Sequence, residues 1–295
     1  MYYPTAKGYF SGCGGMEIGL MQAGVNVIQS LDLDVEATAC LKQNISYFSH
    51  SILNLDIKEK TVLDQPESDI IVGTYPCTKY STYADLHNTR TGDDLFLHFF
   101  RHIAIAQPEM YIVENVPGMK KFKVVMEAMT KLPDYYVNVF CPVDAANWLP
   151  QSRKRLILIG TKKQFLIEAP KPENNRPKLK DILEEDPKIE VPDYVLNRLN
   201  GKYRDKPIII DPEDSNAIAP TCLAHYSKDL GTRLIKDKKS KYGFRPFSIR
   251  EYARLQGFPD DFYFEDKRSS YKLIGNAVPV NMGKWVGIQA MKYFN

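Results

Sequence analysis

The sequence predicts an α/β protein: a mostly parallel sheet covered by helices on both faces, joined to a smaller, irregular second region. Three observations predict it. Short apolar runs alternate with stretches at helical spacing from the N-terminus to about residue 165. The alternation then stops, and 162–212 is rich in Lys, Pro, Asp and Glu. Order returns after Phe247 and ends in a long helical stretch, Val280 to Tyr293, carrying Trp285, Ile288 and Met291.

The elements follow in order. Tyr9-Phe10 closes a first strand, and Met16 to Ala23 is helical, with Met16, Leu20 and Ala23 on one face. Val25 to Leu31 is a second strand. Asp34 to Asn44 is a helix with Ala37, Cys40 and Leu41 aligned. Ser51 to Leu53 is a weak third strand, and Asp69-Ile70-Ile71-Val72-Gly73 a firm fourth, closed by glycine. Asp93-Asp94 starts a helix through Phe96, Phe99, Phe100 and Ile103, and Pro108 lies beyond its end. Met110 to Val113 is a fifth strand. A helix near Val124 to Leu132 and strands at Tyr136 to Phe140 and Arg155 to Gly160 complete the series. Ile249 to Leu255 is a short helix, and the last helix is expected to pack back on the sheet.

Composition excludes several classes. The chain has 295 residues, 44% hydrophobic and 25% charged, with a net charge of +3. That is ordinary globular material whose mild basicity permits nucleic acid binding without announcing it. Five cysteines form no CxxC pair, which argues for thiols in a reducing compartment. The five histidines are scattered, so no metal site is expected. Met1-Tyr2-Tyr3-Pro4-Thr5 lacks the basic and apolar regions of a signal peptide, and no apolar run approaches the roughly 20 residues that span a bilayer. A soluble, intracellular protein is expected.

Four places carry chemistry. Gly12-Cys13-Gly14-Gly15 falls between a strand and a helix, where glycines let backbone approach a ligand. Asp32 ends the next strand, where a carboxylate can accept ribose hydroxyls. Glu17 stands where a dinucleotide fingerprint has its third glycine, so a nucleoside without a pyrophosphate fits better than NAD. Asp56 can accept an adenine amino group or simply be a solvated turn residue. Pro76-Cys77 follows the fourth strand, where parallel sheets do their chemistry; a buried, inert cysteine is the alternative. Glu114 ends the fifth strand before Asn115-Val116, either as a reacting group or as a buried salt bridge or cap. Arg153 and Arg155 alternate at the start of a strand, so both can point to one face and hold a carboxylate, a phosphate or a base carbonyl. A charged edge is the plainer reading.

Together these segments closely resemble the DNA (cytosine-5) methyltransferases of bacterial and phage type. The matching blocks are Phe10-Ser11-Gly12-Cys13-Gly14-Gly15, Pro76-Cys77 with Ser81, Glu114-Asn115-Val116 and Gln151-Ser152-Arg153-Lys154-Arg155. Arg250-Glu251-Tyr252-Ala253-Arg254-Leu255-Gln256-Gly257-Phe258-Pro259 and Gly275-Asn276-Ala277-Val278-Pro279 follow. About residues 165–245 match nothing distinctive, and there the family keeps its variable target-recognition region.

The resemblance implies a Rossmann-like AdoMet-dependent methyltransferase sheet domain over 1–163 plus 258–295. It implies a smaller target-recognition domain and hinge over 164–257. The implied cofactor is S-adenosyl-L-methionine, leaving as S-adenosyl-L-homocysteine, with no metal. Its implied contacts are Phe10, Ser11, Gly12, Cys13, Gly14, Gly15, Asp32, Leu33, Asp56, Ile57, Pro76, Leu95, Asn276 and Val278. Cys77 would attack C6 of a flipped-out cytosine, Glu114 would contact N3 and the exocyclic amine, and Arg155 would contact the O2 side. Arg153 would support Arg155 and the catalytic loop. Lys79, Ser81, Arg90, Gln151 and Arg233 would meet DNA, with Gly92 as a loop hinge and His225, Tyr226, Lys228, Lys236 and Lys241 as further candidates.

Two departures are visible. Gly8-Tyr9-Phe10 stands where the family usually has Asp-Leu-Phe, which removes a carboxylate near the cofactor's methionine end. Thr78 stands where it often has Gln, which bears on flanking preference. The expected partner is double-stranded DNA, met by a monomer away from any membrane, in the cytoplasm of a bacterium or phage-infected host. A cognate restriction endonuclease acting separately stays open. An RNA (tRNA) cytosine-5 methyltransferase and a non-catalytic DNA-binding regulator are the competing readings. Retention of Cys77, Glu114, Arg153 and Arg155 speaks against the regulator.

Overall fold

The protein's structure, a computed structural model, describes residues 1–76, 95–201 and 209–295. It separates into two compact units, one of Met1–Asp144, Lys154–Pro170 and Val280–Asn295, the other of Ala145–Arg153 and Lys171–Pro279.

The first unit runs β1 (Thr5–Tyr9), α1 (Gly15–Gln22), β2 (Asn26–Asp32), α2 (Val35–Gln43), β3 (Ser51–Asn54) and β4 (Ile70–Gly73). It continues with α3 (Leu95–Ala106), β5 (Met110–Asn115), α4 (Lys123–Thr130), β6 (Tyr136–Asp144) and β7 (Lys154–Thr161). The second unit carries α5 (Asp193–Asn200), β8 (Ile209–Ile210), β9 (Leu234–Lys236), β10 (Phe244–Pro246), α6 (Ile249–Leu255) and α7 (Arg268–Asn276). The last helix, α8 (Val280–Phe294), returns to the first unit.

The large sheet has the order β3-β2-β1-β4-β5-β7-β6. The first five of these strands are parallel, which bears out the predicted parallel-dominated α/β sheet. β7 is antiparallel to both β5 and β6. The short segment 145–153 between β6 and β7 cannot hold the dozen or more residues of a parallel crossover. All four residues of β4 are buried, as a strand covered on both faces requires. Gly73 ends it because a Cβ there would lie 2.4 Å from the Phe99 ring. Phe96, Phe99 and Ile103 of α3 are buried in the core with Tyr9, Ile71, Tyr75 and Tyr111.

α8 docks on α1 as well as on the sheet unit at large. A Cβ on Gly283 would lie 2.6 Å from the Met16 carbonyl oxygen, and one on Gly19 would lie 2.3 Å from the Val280 carbonyl oxygen. Glycine on both helices lets their backbones approach. Gly283→Val should therefore force the helices apart and destabilise by about 3 kcal/mol, the upper end for overpacking. A thermal melt checks this, and an unchanged midpoint would mean that the seam is loose.

The second unit contains a three-stranded sheet in the order β10-β9-β8. Ser248 caps α6 and accepts from the Glu251 N–H, while the Glu251 carboxylate accepts from the Ser248 N–H at 2.9 Å. Glu251 is fully buried and also grips Arg245 through two hydrogen bonds of 2.7 and 2.8 Å. Arg250 donates to the carbonyls of Pro259 and Phe262 at 3.2 and 2.9 Å. The 250–259 block thus fastens this unit from within. Tyr226 corrects an expectation. It is fully buried, stacked on Tyr252 at 4.7 Å, and its hydroxyl donates to the Arg233 carbonyl, so it is a core residue and presents nothing to a base.

Candidate active site

The chain leaves β1 into a tight loop at the C-terminal edge of the sheet. Phe10 sits at φ 63, a left-handed conformation uncommon for a bulky residue. The Thr74 hydroxyl holds it there by donating to the Phe10 carbonyl at 2.7 Å. Gly14, at φ 83, caps α1, and a Cβ there would also strike Phe48 at 2.3 Å. The Gly14 N–H donates to the Ser11 carbonyl at 2.9 Å. Asp32, at the end of β2, accepts from the N–H groups of Gly12 (2.7 Å) and Asp34 (2.8 Å). Burial raises its carboxyl above the ordinary value, against the pull of those two N–H groups. Asn54, on β3, donates to the carbonyls of Asp32 and Leu33 at 3.1 and 2.9 Å. Thr74 and Asn54 brace the loop, and no sequence pattern marked them.

Glu17 lies in the first turn of α1, 2% exposed, with its carboxylate beside Gly8 and Ser11. Burial raises its carboxyl to about 7, partly offset by hydrogen bonds from Ser11 and from its own N–H. The other expected cofactor residues differ in their surroundings. Cys13 and Ile57 are buried, Asp56 accepts from the Lys58 N–H at 3.0 Å, and Leu33 and Pro76 are exposed. Leu95 begins α3 and is half-buried. Asn276 and Val278 belong to the second unit, at and just beyond the end of α7.

The ends of β4 and β5 form the second part of the site. Glu114 pairs with Arg155, Nε to Oε1 at 2.8 Å, and both side chains are largely buried. Antiparallel pairing sets this up, because Glu114 faces Ile157 in register and Arg155 is the next residue on that side of β7. Asn115 points the other way and donates to the Tyr75 carbonyl at 3.0 Å. Tyr75 is itself buried, its hydroxyl on the Met119 sulfur at 3.3 Å. The Glu-Asn pair thus orders a cation with one residue and anchors the end of β4 with the next. Cys77, Lys79, Ser81, Arg90 and Gly92 lie outside the described residues.

Arg153 and Gln151 are engaged differently from Arg155. Arg153 is 2% exposed, and its guanidinium donates to the carbonyls of Cys222, Gly275 and Ala277 at 2.7, 3.0 and 2.9 Å. Gln151 is fully buried; it donates to the Leu255 carbonyl at 2.7 Å and accepts from the Cys222 N–H at 2.7 Å. In this structure both hold backbone together within the second unit. Arg233 also donates to a carbonyl, that of Thr221, at 2.9 Å. Arg153→Met should strip the donated bonds from the Cys222 and Gly275 carbonyls, while the Ala277 carbonyl keeps Gln256 Nε2 at 3.1 Å, and destabilise by about 3 kcal/mol. Chemical denaturation measures this, and a change below about 1 kcal/mol would show that water replaces the guanidinium.

Known proteins resemble this chain over most of its length. Residues 8–292 match the family model for the C-5 cytosine-specific DNA methylase. The chain belongs to that family. Among curated relatives, the Type II methyltransferase M.Sau96I of Staphylococcus aureus is 29% identical over 97% of this chain and 75% of its own. M.HindV of Haemophilus influenzae is 28% identical over 94% and 93%. The same fold appears in the Entamoeba histolytica methyltransferase EhMeth, with a TM-score of 0.78 and 18% identity over 99% and 98% of the two chains. It also appears in the S. pombe Dnmt2 methyltransferase, with a TM-score of 0.77 and 18% identity over all of both.

This family member is therefore a C5 cytosine methyltransferase that uses AdoMet. The loop fits that cofactor on its own terms. Among the described residues nothing lies within 4 Å of where a Cβ on Gly12 would be, so a ligand can close on the backbone there. A carboxylate of raised pKa, Asp32, stands at the adjacent strand end to take hydroxyls. Among the described residues no helix is long and apolar enough to cross a membrane, and no group of three His, Cys, Asp or Glu is arranged to hold a metal.

Proposed function

We propose that this methyltransferase acts on C5 of a flipped-out cytosine within a specific short duplex DNA sequence, through a covalent bond from Cys77 to C6. C5 of cytosine is a poor nucleophile, and addition of a thiolate at C6 turns the ring into an enamine whose C5 attacks the methyl group. AdoMet supplies that methyl from its sulfonium. Loss of the C5 proton to a base then expels the thiolate and restores the ring. A water molecule can serve as that base.

The observation that carries this reading is the Glu114–Arg155 pair beside the Asn115–Tyr75 anchor, two residues from Cys77. Glu114 would share a proton with N3 and accept from the exocyclic amine as charge builds, with Arg155 orienting it and reaching the O2 side. The loop residues Phe10, Ser11, Gly12, Cys13, Gly14 and Gly15, with Asp32, Leu33, Asp56, Ile57, Pro76, Leu95, Asn276 and Val278, would hold AdoMet. Residues 164–257 would form the target-recognition region and hinge. Lys79, Ser81, Arg90 and Arg233 would meet DNA phosphates or bases. We assign a monomer in the cytoplasm on double-stranded DNA, with any cognate endonuclease acting separately.

The test is transfer of labelled methyl from AdoMet to unmethylated genomic DNA beside a tRNA pool, followed by base analysis and bisulfite mapping. Label in 5-methylcytosine at one short DNA motif is expected. Label in tRNA alone would move the substrate to RNA, whose loops and 2′-hydroxyls are read differently. No label in either would favour a DNA-binding regulator.

A further inference from the structure

Glu17 has no part in the reaction described above, yet it is a buried acid at the edge of the cofactor loop. Its Oε2 is buried and meets no hydrogen-bond partner among the described residues. Buried polar atoms are nearly always satisfied, and an acid oxygen left without a donor is costly. Its Oε1 lies over Gly8: a Cβ on that residue would sit 2.2 Å from it and 3.0 Å from the Ser11 hydroxyl oxygen. The carboxylate therefore occupies the volume that a side chain at position 8 would fill. Gly8 stands where the resembled family usually has Asp, and α1 brings an acid into that space from nine residues further along the chain.

The open oxygen needs an N–H or O–H donor. On the AdoMet reading, the ligand of this loop carries two positive groups. The sulfonium has no hydrogen to donate, whereas the α-ammonium of the methionine part has three. The first turn of α1 adds the favourable field of a helix N-terminus for a charged carboxylate.

We propose that Glu17 is the residue that recognises the amino-acid end of the cofactor, its Oε2 accepting a charge-assisted hydrogen bond from the α-ammonium group. Gly8 is the space that admits it. The inference rests on AdoMet binding at this loop, and the experiment separates the two.

Binding of S-adenosyl-L-homocysteine and of 5′-methylthioadenosine is measured by calorimetry on the full chain and on Glu17→Gln. The second ligand keeps the nucleoside and thioether but lacks the amino acid. Glu17→Gln should weaken S-adenosyl-L-homocysteine by about 10- to 100-fold and leave methylthioadenosine within about twofold. Equal loss for both ligands, or loss for neither, overturns the proposal. If neither ligand binds the unaltered protein, the cofactor reading of the loop falls, and the proposal with it. Should Glu17→Gln not fold, Glu17→Ala combined with Gly8→Asp moves the carboxylate to the vacated position. That pair should prefer S-adenosyl-L-homocysteine over methylthioadenosine again, and failure to do so in a folded protein also counts against the proposal.

Discussion

Cys77→Ala is expected to lower methyl transfer at least ~10³-fold while S-adenosyl-L-homocysteine binding stays unchanged. The size follows from the chemistry, because without a covalent bond at C6 nothing raises the electron density of C5. The other cysteines offer no substitute. Cys13 and Cys222 are fully buried, and burial pushes the first thiol far above its ordinary value and the second up to about 12. Cys40 is buried, and burial also raises the half-buried Cys141. Single-turnover transfer to a mapped duplex measures the effect. Residual transfer within tenfold of the unaltered enzyme would place the nucleophile elsewhere or make the adduct unnecessary.

Glu114→Gln is expected to lower the chemical step by about 10²- to 10⁴-fold, the range for a positioned acid–base group. The amide keeps the size of the side chain and loses the charge that Arg155 holds at 2.8 Å. Arg155→Met should cost about 10²- to 10³-fold, by releasing the carboxylate and removing a donor from the base. The ion pair makes the two residues one device, so the double variant should be little worse than the poorer single variant. Full additivity of the two losses, measured in single turnovers, would show that Glu114 and Arg155 act independently and that their pairing is incidental to catalysis.

Much of the fold was legible in the sequence because its signals are local. Ile70-Ile71-Val72-Gly73 is a short β-branched run stopped by a glycine that Phe99 requires, so strand and boundary are both written in four residues. The direction of β6 and β7 was not legible, since it depends on how far the chain can travel between them. Helices α5 and α7 carry little sequence signal. α5 follows Pro192 with few apolar positions, and α7 is dominated by Arg, Ser, Lys and Tyr. The Glu114–Arg155 pair was only half visible. The sequence showed that Arg153 and Arg155 alternate, but three carbonyls around 222 and 275–277 claim Arg153, and no local pattern encodes partners so distant. Thr74 and Asn54 act through one hydroxyl and one amide, residue types too common to stand out. In the sequence Glu17 shows only as a missing glycine; that it fills the space over Gly8 is a fact of three dimensions.

The glycine seam between α1 and α8 has a consequence for how the protein is made. α1 leaves the ribosome well before the helix that covers it, which is translated about 260 residues later, roughly 13 to 50 s at usual elongation rates. Through that interval the apolar flank of α1 has no native cover, and the sheet unit cannot finish until α8 has been made. The enzyme should be held inactive on the ribosome by its own chain order and should depend on chaperones as it emerges. Methyl transfer would then lag behind the messenger by the time needed for α8 to appear and dock.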